Sequence, residues 1–200
     1  MGNTEKFDLI AGSYDTPQRI EIAKRIADAI CDYIQDGKNK RAIDFGCGTG
    51  LVGMYLLKDF ESILFLDTSQ NMIREVQRKI SEGNIHNADT ICFDFEEDSL
   101  ADVHADCIFM AQVLLHIKDF QPVLRKLYDV LNPGGHLIIV DFDKNVEIDS
   151  ELVHNGFDQA ALANIINEMG YKNVRSRTFY HGSKMFMNRD ASLFILDVQK

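Results

Sequence analysis

The stretch that decides how this chain folds is AIDFGCGTGLVGMYLL, residues 42–57. A short apolar run with one acid, Ala42-Ile43-Asp44-Phe45, leads into glycines 46, 48 and 50, and an amphipathic run, residues 51–57, leads out. That order predicts a strand, a tight turn and a helix. Glycine has no Cβ, so such a turn lets backbone N–H groups and a helix N-terminus come up against a ligand. A nucleotide-like molecule is the kind of ligand that fits there.

Outward from this unit the pattern repeats. Upstream, Thr16 offers a capping hydroxyl and Pro17 a first helical residue. Ile20, Ala23, Ala27, Ile30 and Ile34 then recur at helical spacing, which predicts an opening helix ending near Gly37. Downstream, residues 62–67 (SILFLD) form an unbroken apolar run suited to a strand buried on both faces, and Ser69 caps a helix carrying Met72, Ile73, Val76 and Ile80. Residues 90–93 and 106–110 read as strands. Asp119 reads as the cap of a helix with Phe120, Val123, Leu124, Leu127 and Leu131 on one face, stopped by Asn132-Pro133-Gly134-Gly135, and residues 136–140 as a fifth strand. After a helix at 157–169, segments 174–180 and 192–198 follow each other without a helical pattern between them and are expected to pair antiparallel. Strand alternating with helix predicts an α/β domain with a mostly parallel sheet and helices on both faces.

Two hundred residues, 46% of them hydrophobic, suffice for one substantial core, so a single domain over residues 1–200 is expected. The formal net charge of −10 opposes a phosphate backbone or an anionic membrane, and Lys and Arg form no basic run. Neither nucleic acid nor membrane is an expected partner. Cys31, Cys47, Cys92 and Cys107 lie far apart with no C-x-x-C pair, which argues against structural zinc and against a disulfide framework. No stretch approaches the roughly 20 apolar residues of a membrane-spanning helix. A soluble, reduced, cytoplasmic protein is the expectation, monomeric or homodimeric, with no metal.

In an open parallel sheet, ligands bind beyond the carboxyl ends of the strands, where strand order reverses. The residues just past those ends are Gly46-Cys47-Gly48, Asp67, Asp94-Phe95, Met110-Ala111-Gln112 and Asp141. Asp67, about 20 residues past the glycine turn, is placed to accept hydrogen bonds from a ribose diol; its structural reading is a cap for the helix beginning near Ser69. A dinucleotide fingerprint, G-x-G-x-x-G, needs glycine at position 51, where this chain has Leu51 and carries Gly50 instead, which disfavours a nicotinamide oxidoreductase.

On these residues, with Leu131-Asn132-Pro133-Gly134-Gly135 and residues 105–116 (ADCIFMAQVLLH), the chain resembles the class I S-adenosylmethionine-dependent methyltransferases over nearly its whole length, and within them the small-molecule branch similar to ubiquinone and menaquinone methyltransferases. The resemblance implies a Rossmann-like, seven-stranded, mostly parallel sheet with an antiparallel C-terminal hairpin. It implies S-adenosylmethionine as cofactor, S-adenosylhomocysteine as its product, and a small-molecule methyl acceptor. Asp44 and the backbone of Gly46 and Gly48 would hold the methionine portion, Asp67 the ribose, Asp94 the adenine amino group with Phe95 beside the ring, and Gln112 with the Met110 backbone the sulfonium. Cys47, Gly50, Thr68, Met72 and Ala111 complete the implied cofactor site, and Tyr14, in an opening segment similar to that of small-molecule members, would reach the methionine carboxylate.

His116, Asp141, Tyr180 and His181 are the catalytic candidates, because strand ends or loops place them near the mouth. Each has a structural reading beside the chemical one: a packed histidine at 116, a turn acid at 141, plain core for Phe179-Tyr180-His181 and for Lys184-Met185-Phe186-Met187. The fourth-strand segment lacks the Asn/Asp-Pro-Pro-aromatic sequence of enzymes methylating nitrogens in nucleic acids and proteins. Residues 1–37, 142–157 and 182–190 remain to form a lid over a small acceptor. A non-catalytic binder of adenosyl ligands is the alternative.

Overall fold

A computed structural model describes residues 4–34, 36–94 and 103–200. Helix α1 (Thr4–Ile10) is followed by a single 3-10 turn and by α2 (Pro17–Cys31). Then come β1 (Arg41–Phe45), α3 (Leu51–Leu56), β2 (Ser62–Asp67), α4 (Gln70–Glu82), β3 (Ala88–Cys92) and β4 (Ala105–Ala111). The chain ends with α5 (Gln121–Val130), β5 (Leu131–Phe142), α6 (Gln159–Glu168), β6 (Lys172–Phe186) and β7 (Arg189–Gln199).

The seven strands form one sheet in the order β3-β2-β1-β4-β5-β7-β6. Neighbours from β3 to β5 are parallel, and β7 enters antiparallel between β5 and β6. The chain runs outward from β1 to β3 and then returns to place β4 on the other side of β1. Right-handed crossovers therefore set α3 and α4 on one face and α5 and α6 on the other, with the reversal at β1/β4 leaving a crevice above the strand ends. The unbroken apolar runs become the centre: Leu137 to Val140 of β5, Leu193 to Leu196 of β7 and Ile108 to Met110 of β4 have no solvent exposure. The edge strand β6 instead carries exposed Lys172, Arg175 and Arg177, the charges that keep an edge from pairing with another chain.

Caps set several helix starts. Thr16 accepts from the Arg19 N–H, Ser69 from the Met72 N–H and Asp158 from the Ala161 N–H, each satisfying a donor left free in the first turn. Four departures from the sequence reading have a clear structural basis. Helix α2 ends at Cys31, and Gly37 is no stop: a Cβ there would lie 2.3 Å from the Asp59 carbonyl oxygen, so the residue serves close packing. Asp119 sits one residue too early to cap; its carboxylate accepts from the Gln121 N–H at 3.4 Å while Phe120 holds the N-cap position. Strand β5 begins at Leu131, before the Pro-Gly-Gly turn. The hairpin is longer than expected, so residues 182–190, read as a loop, are the tip of a β arm.

Candidate active site

A cavity of about 490 Å³ opens above the carboxyl ends of β1, β2, β4 and β5. At one end lies the glycine turn. Gly46 has φ +68°, and a Cβ there would meet Val113 at 2.6 Å, so both backbone and space require glycine. Gly48, at φ +54°, is different: its missing Cβ faces the cavity, with only the Tyr14 ring as near as 4.0 Å. That vacated position is a cradle for a ligand.

Two carboxylates brace the turn. Asp44 is 2% exposed, and its Oδ2 accepts from the Gly53 N–H at 3.1 Å. Burial pushes its carboxyl up to about 8, the bond from Gly53 pulling the other way and the Asp67 charge adding to the rise. Asp67 accepts from the Gly48 N–H at 2.7 Å with one oxygen and from the Ser69 N–H at 2.9 Å with the other. Burial raises its pKa too, against those bonds. A carboxylate has about four acceptor sites, so Asp67 retains capacity toward the cavity it lines. The cap of α4 is Ser69, and Asp67 does not take that role.

The N-terminal segment is fastened across this end. Asp8 accepts from the Ser69 hydroxyl and the Asn71 N–H, and the Asn71 side chain donates to the Asp8 carbonyl. Asp15 accepts from the Thr49 hydroxyl and pairs with Lys79 Nζ at 2.7 Å, while Lys79 also donates to the Thr49 carbonyl. Tyr14 is thereby held over the turn, with Arg19 stacked 4.1 Å from its ring centre and donating to its carbonyl. Desolvation raises the Tyr14 pKa, with Arg19 opposing.

The opposite wall is apolar and assembled from distant segments. Phe142 and Phe186 stack with centroids 4.4 Å apart. Val113, Leu115 and Ile117 come from the loop after β4, Ile22 and Ile26 from α2, and Met185 and Met187 from the hairpin tip. Between Gly182 and Phe186 the hairpin takes four steps along β6 against two along β7, a bulge that turns residues 184–187 into the cavity. Lys184 and Met187 adopt left-handed backbone conformations there, a strain of the sort found at binding sites.

The cavity brings together Tyr14, Asp44, Gly46, Cys47, Gly48, Asp67, Thr68, Met72, Ala111, Gln112 and His116. Gln112 sits in a left-handed conformation at φ +56°, its N–H donating to the Val140 carbonyl. His116 packs edge-on to Phe7 at 5.2 Å, and burial, reinforced by the Lys6 charge, lowers its pKa to about 4.

Six of the described candidates do not line the cavity. Asp141 is fully buried and accepts from the Leu115 and Phe142 N–H groups, so it anchors the segment after β4; desolvation pushes its pKa up to about 7. Strand neighbours face opposite ways, and Phe142 takes the cavity side. Tyr180 packs beneath Arg25 on the hairpin, and His181 bonds Ser192 Oγ at 2.7 Å on the exposed surface. Met110 is buried within β4, and the Cβ position of Gly50 faces Val76 and Phe65. Asp94 is exposed, while Phe93, bonded through its N–H to the Asp67 carbonyl, turns inward in its place. Phe95 lies outside the described residues.

Several lining or bracing residues carried little local signal. Gly53 is a glycine inside a helix whose Cβ would lie 2.4 Å from Phe65 and 2.6 Å from Asp44, so it lets α3 press onto the sheet; a mid-helix glycine is the clue. Asp8, Asp15 and Lys79 act through tertiary contacts that no spacing announces.

Fold and site together define a Rossmann-like α/β domain built to hold a nucleoside ligand at its strand ends. Residues 43–137 match the family model described as a methyltransferase domain. A demethylmenaquinone methyltransferase of Listeria monocytogenes is 30% identical over 143 residues, 68% of this chain and 60% of that protein. A SAM-dependent methyltransferase from Aquifex aeolicus shares the fold with a TM-score of 0.73 at 17% identity, over 96% of this chain and 97% of that one. The [4+2]-cyclase SpnF does so with a TM-score of 0.73 at 17% identity, over 88% and 80%. In sequence over residues 43–137 and in fold throughout, the chain is similar to S-adenosylmethionine-dependent methyltransferases. It spans only 53% to 60% of the length of the first curated relatives it matches. Among its described residues no helix is long and apolar enough to cross a membrane.

Proposed function

We propose that the chain transfers the methyl group of S-adenosylmethionine to a small-molecule acceptor. The observation that carries this reading is the Gly48 cradle, opening on a cavity flanked by the buried carboxyl of Asp44 and the half-buried one of Asp67. The donor set fits the cofactor's chemistry. Asp44, reluctant to ionise alone, suits a ligand that brings a cationic amino group; Asp67 suits ribose hydroxyls; Met72 and Phe93 offer apolar faces for an adenine; Tyr14 and Arg19 suit a carboxylate. The setting we propose is the cytoplasm, as monomer or homodimer.

When bound, S-adenosylmethionine supplies an already activated methyl group. The chain's own residues then have to orient the acceptor and exclude water. The N-terminal segment, fastened by Asp8 and Asp15, covers the cofactor end, and the Phe142–Phe186 stack walls the other. His116 is neutral at neutral pH and offers a lone pair to an acceptor O–H or N–H, but with its pKa lowered to about 4 it is a weak proton sink. Its role is orientation, and an acceptor that attacks already ionised suits this site best.

The fold shared with a [4+2]-cyclase favours a second reading, in which the nucleoside is bound and no methyl moves. Incubation with methyl-labelled donor and a small-metabolite extract separates the two. Label appearing in a small organic product, and lost in Gly48→Val, supports the methyltransferase; binding of S-adenosylhomocysteine without transfer to any component supports the second reading.

A further inference from the structure

The chain has ten more acidic than basic residues, yet the charges around its cavity are not distributed that way. Among the described lining residues the carboxylates are Asp44 and Asp67, both at the glycine turn and both engaged by backbone N–H groups. Arg19 stacks on Tyr14, where the carboxylate of the cofactor is proposed to lie. The other charged residues lining the cavity are Lys6 of α1 and Lys184 of the hairpin tip, and neither forms an ion pair with a described carboxylate.

Both lysines are held in place by structure. Lys6 lies on the lid helix that Asp8 pins to α4, near enough for its charge to act on His116. Lys184 sits in the bulge, its backbone N–H donating to Asp190 Oδ1 at 3.0 Å, while its neighbour Phe186 is anchored on Phe142. The same cavity is lined by Phe7, Leu115, Ile117, Phe142, Met185 and Phe186, and its described acidic lining residues are confined to Asp44 and Asp67. Such a chamber rejects a cation, which would meet like charge, and offers a neutral polar molecule few partners.

Resting on the methyltransferase reading, we infer that the acceptor is a flat, apolar molecule bearing a single negative charge, its body against the Phe142–Phe186 wall and its anionic group between Lys6 and Lys184. Methyl transfer to an ionised oxygen or sulfur of such a molecule balances without a base: the acceptor's electron pair forms the bond to the methyl carbon, and the carbon–sulfur pair stays on sulfur as the sulfonium becomes a neutral thioether.

The test begins with a titration of S-adenosylhomocysteine, whose failure would strike the methyltransferase reading itself. Protein saturated with that product is then titrated with three matched probes, 2-naphthoate, its neutral amide and the cationic 2-(aminomethyl)naphthalene. Two exposed cations each contribute a few-fold, so the carboxylate is expected to bind about tenfold more tightly than the amide, and the cation more weakly than either. In the double variant Lys6→Gln/Lys184→Gln this preference falls to within about twofold, while affinity for S-adenosylhomocysteine is unchanged. Amide binding as tight as carboxylate binding, a preference that survives the double variant, or no binding of the carboxylate to the saturated protein would each overturn the inference.

Discussion

The two ends of the cavity are made in different ways. The glycine turn end is built from backbone: carboxylates 44 and 67 are fixed by N–H groups of Gly53, Gly48 and Ser69, and the space is set by glycines. The rest of the lining is built from side chains on α2, the loop after β4 and a bulged hairpin. A ligand common to a family suits the first construction, because backbone geometry is indifferent to most side-chain changes. A variable acceptor suits the second, where a substitution alters shape without moving the sheet.

This division can be broken by substitutions at either end. The largest effect is expected from Gly48→Val, which fills the cradle and forces a branched residue into φ +54°. Affinity for S-adenosylhomocysteine should fall about a thousandfold, equivalent to roughly 4 kcal/mol, measured by calorimetry. Phe186→Ala should instead lower stability by about 3 kcal/mol in denaturant melts, since it removes a buried ring from a stack, and leave that affinity within about twofold. If it weakened cofactor binding as Gly48→Val does, the two ends would not be separate.

The third test uses pH. A cationic ligand binds the ionised form of Asp44, whose pKa is near 8 without ligand, so affinity should rise with pH from about 6 to 8, by up to tenfold per unit, then level off. Asn at 44 should flatten that profile. The unliganded protein should show the opposite trend: a carboxyl whose folded pKa lies above its unfolded value loses stability as pH rises from about 4 towards 8, and Asp141 adds to this up to about 7. The smallest effect is expected from Asp15→Ala, which unfastens Thr49 and Lys79 and should weaken S-adenosylhomocysteine binding by about fivefold, with little change at the acceptor wall.

The same contrast explains what was legible in the sequence. The turn could be read because a positive φ and a close approach demand glycine locally, and the sheet because unbroken apolar runs have few other uses. Strand ends were located well enough to find Asp67, but being last in a strand does not say which way a side chain faces. Asp141 points into the structure because Phe142 takes the cavity side, and Asp94 points outward because Phe93 turns in. The hairpin tip read as loop because SKMFMNRD carries polar and turn residues; its bulge comes from register against β7, a tertiary property. Asp8 and Asp15 were silent for a similar reason, since their partners lie 61 and 34 residues away.

The most direct test is calorimetric titration of S-adenosylhomocysteine into the wild-type protein and Gly48→Val, with NAD as a control ligand. The account predicts saturable one-to-one binding to the wild type, binding about a thousandfold weaker to the variant and none of NAD. No heat from either the methyl donor or its product, or undiminished binding by Gly48→Val, would contradict it.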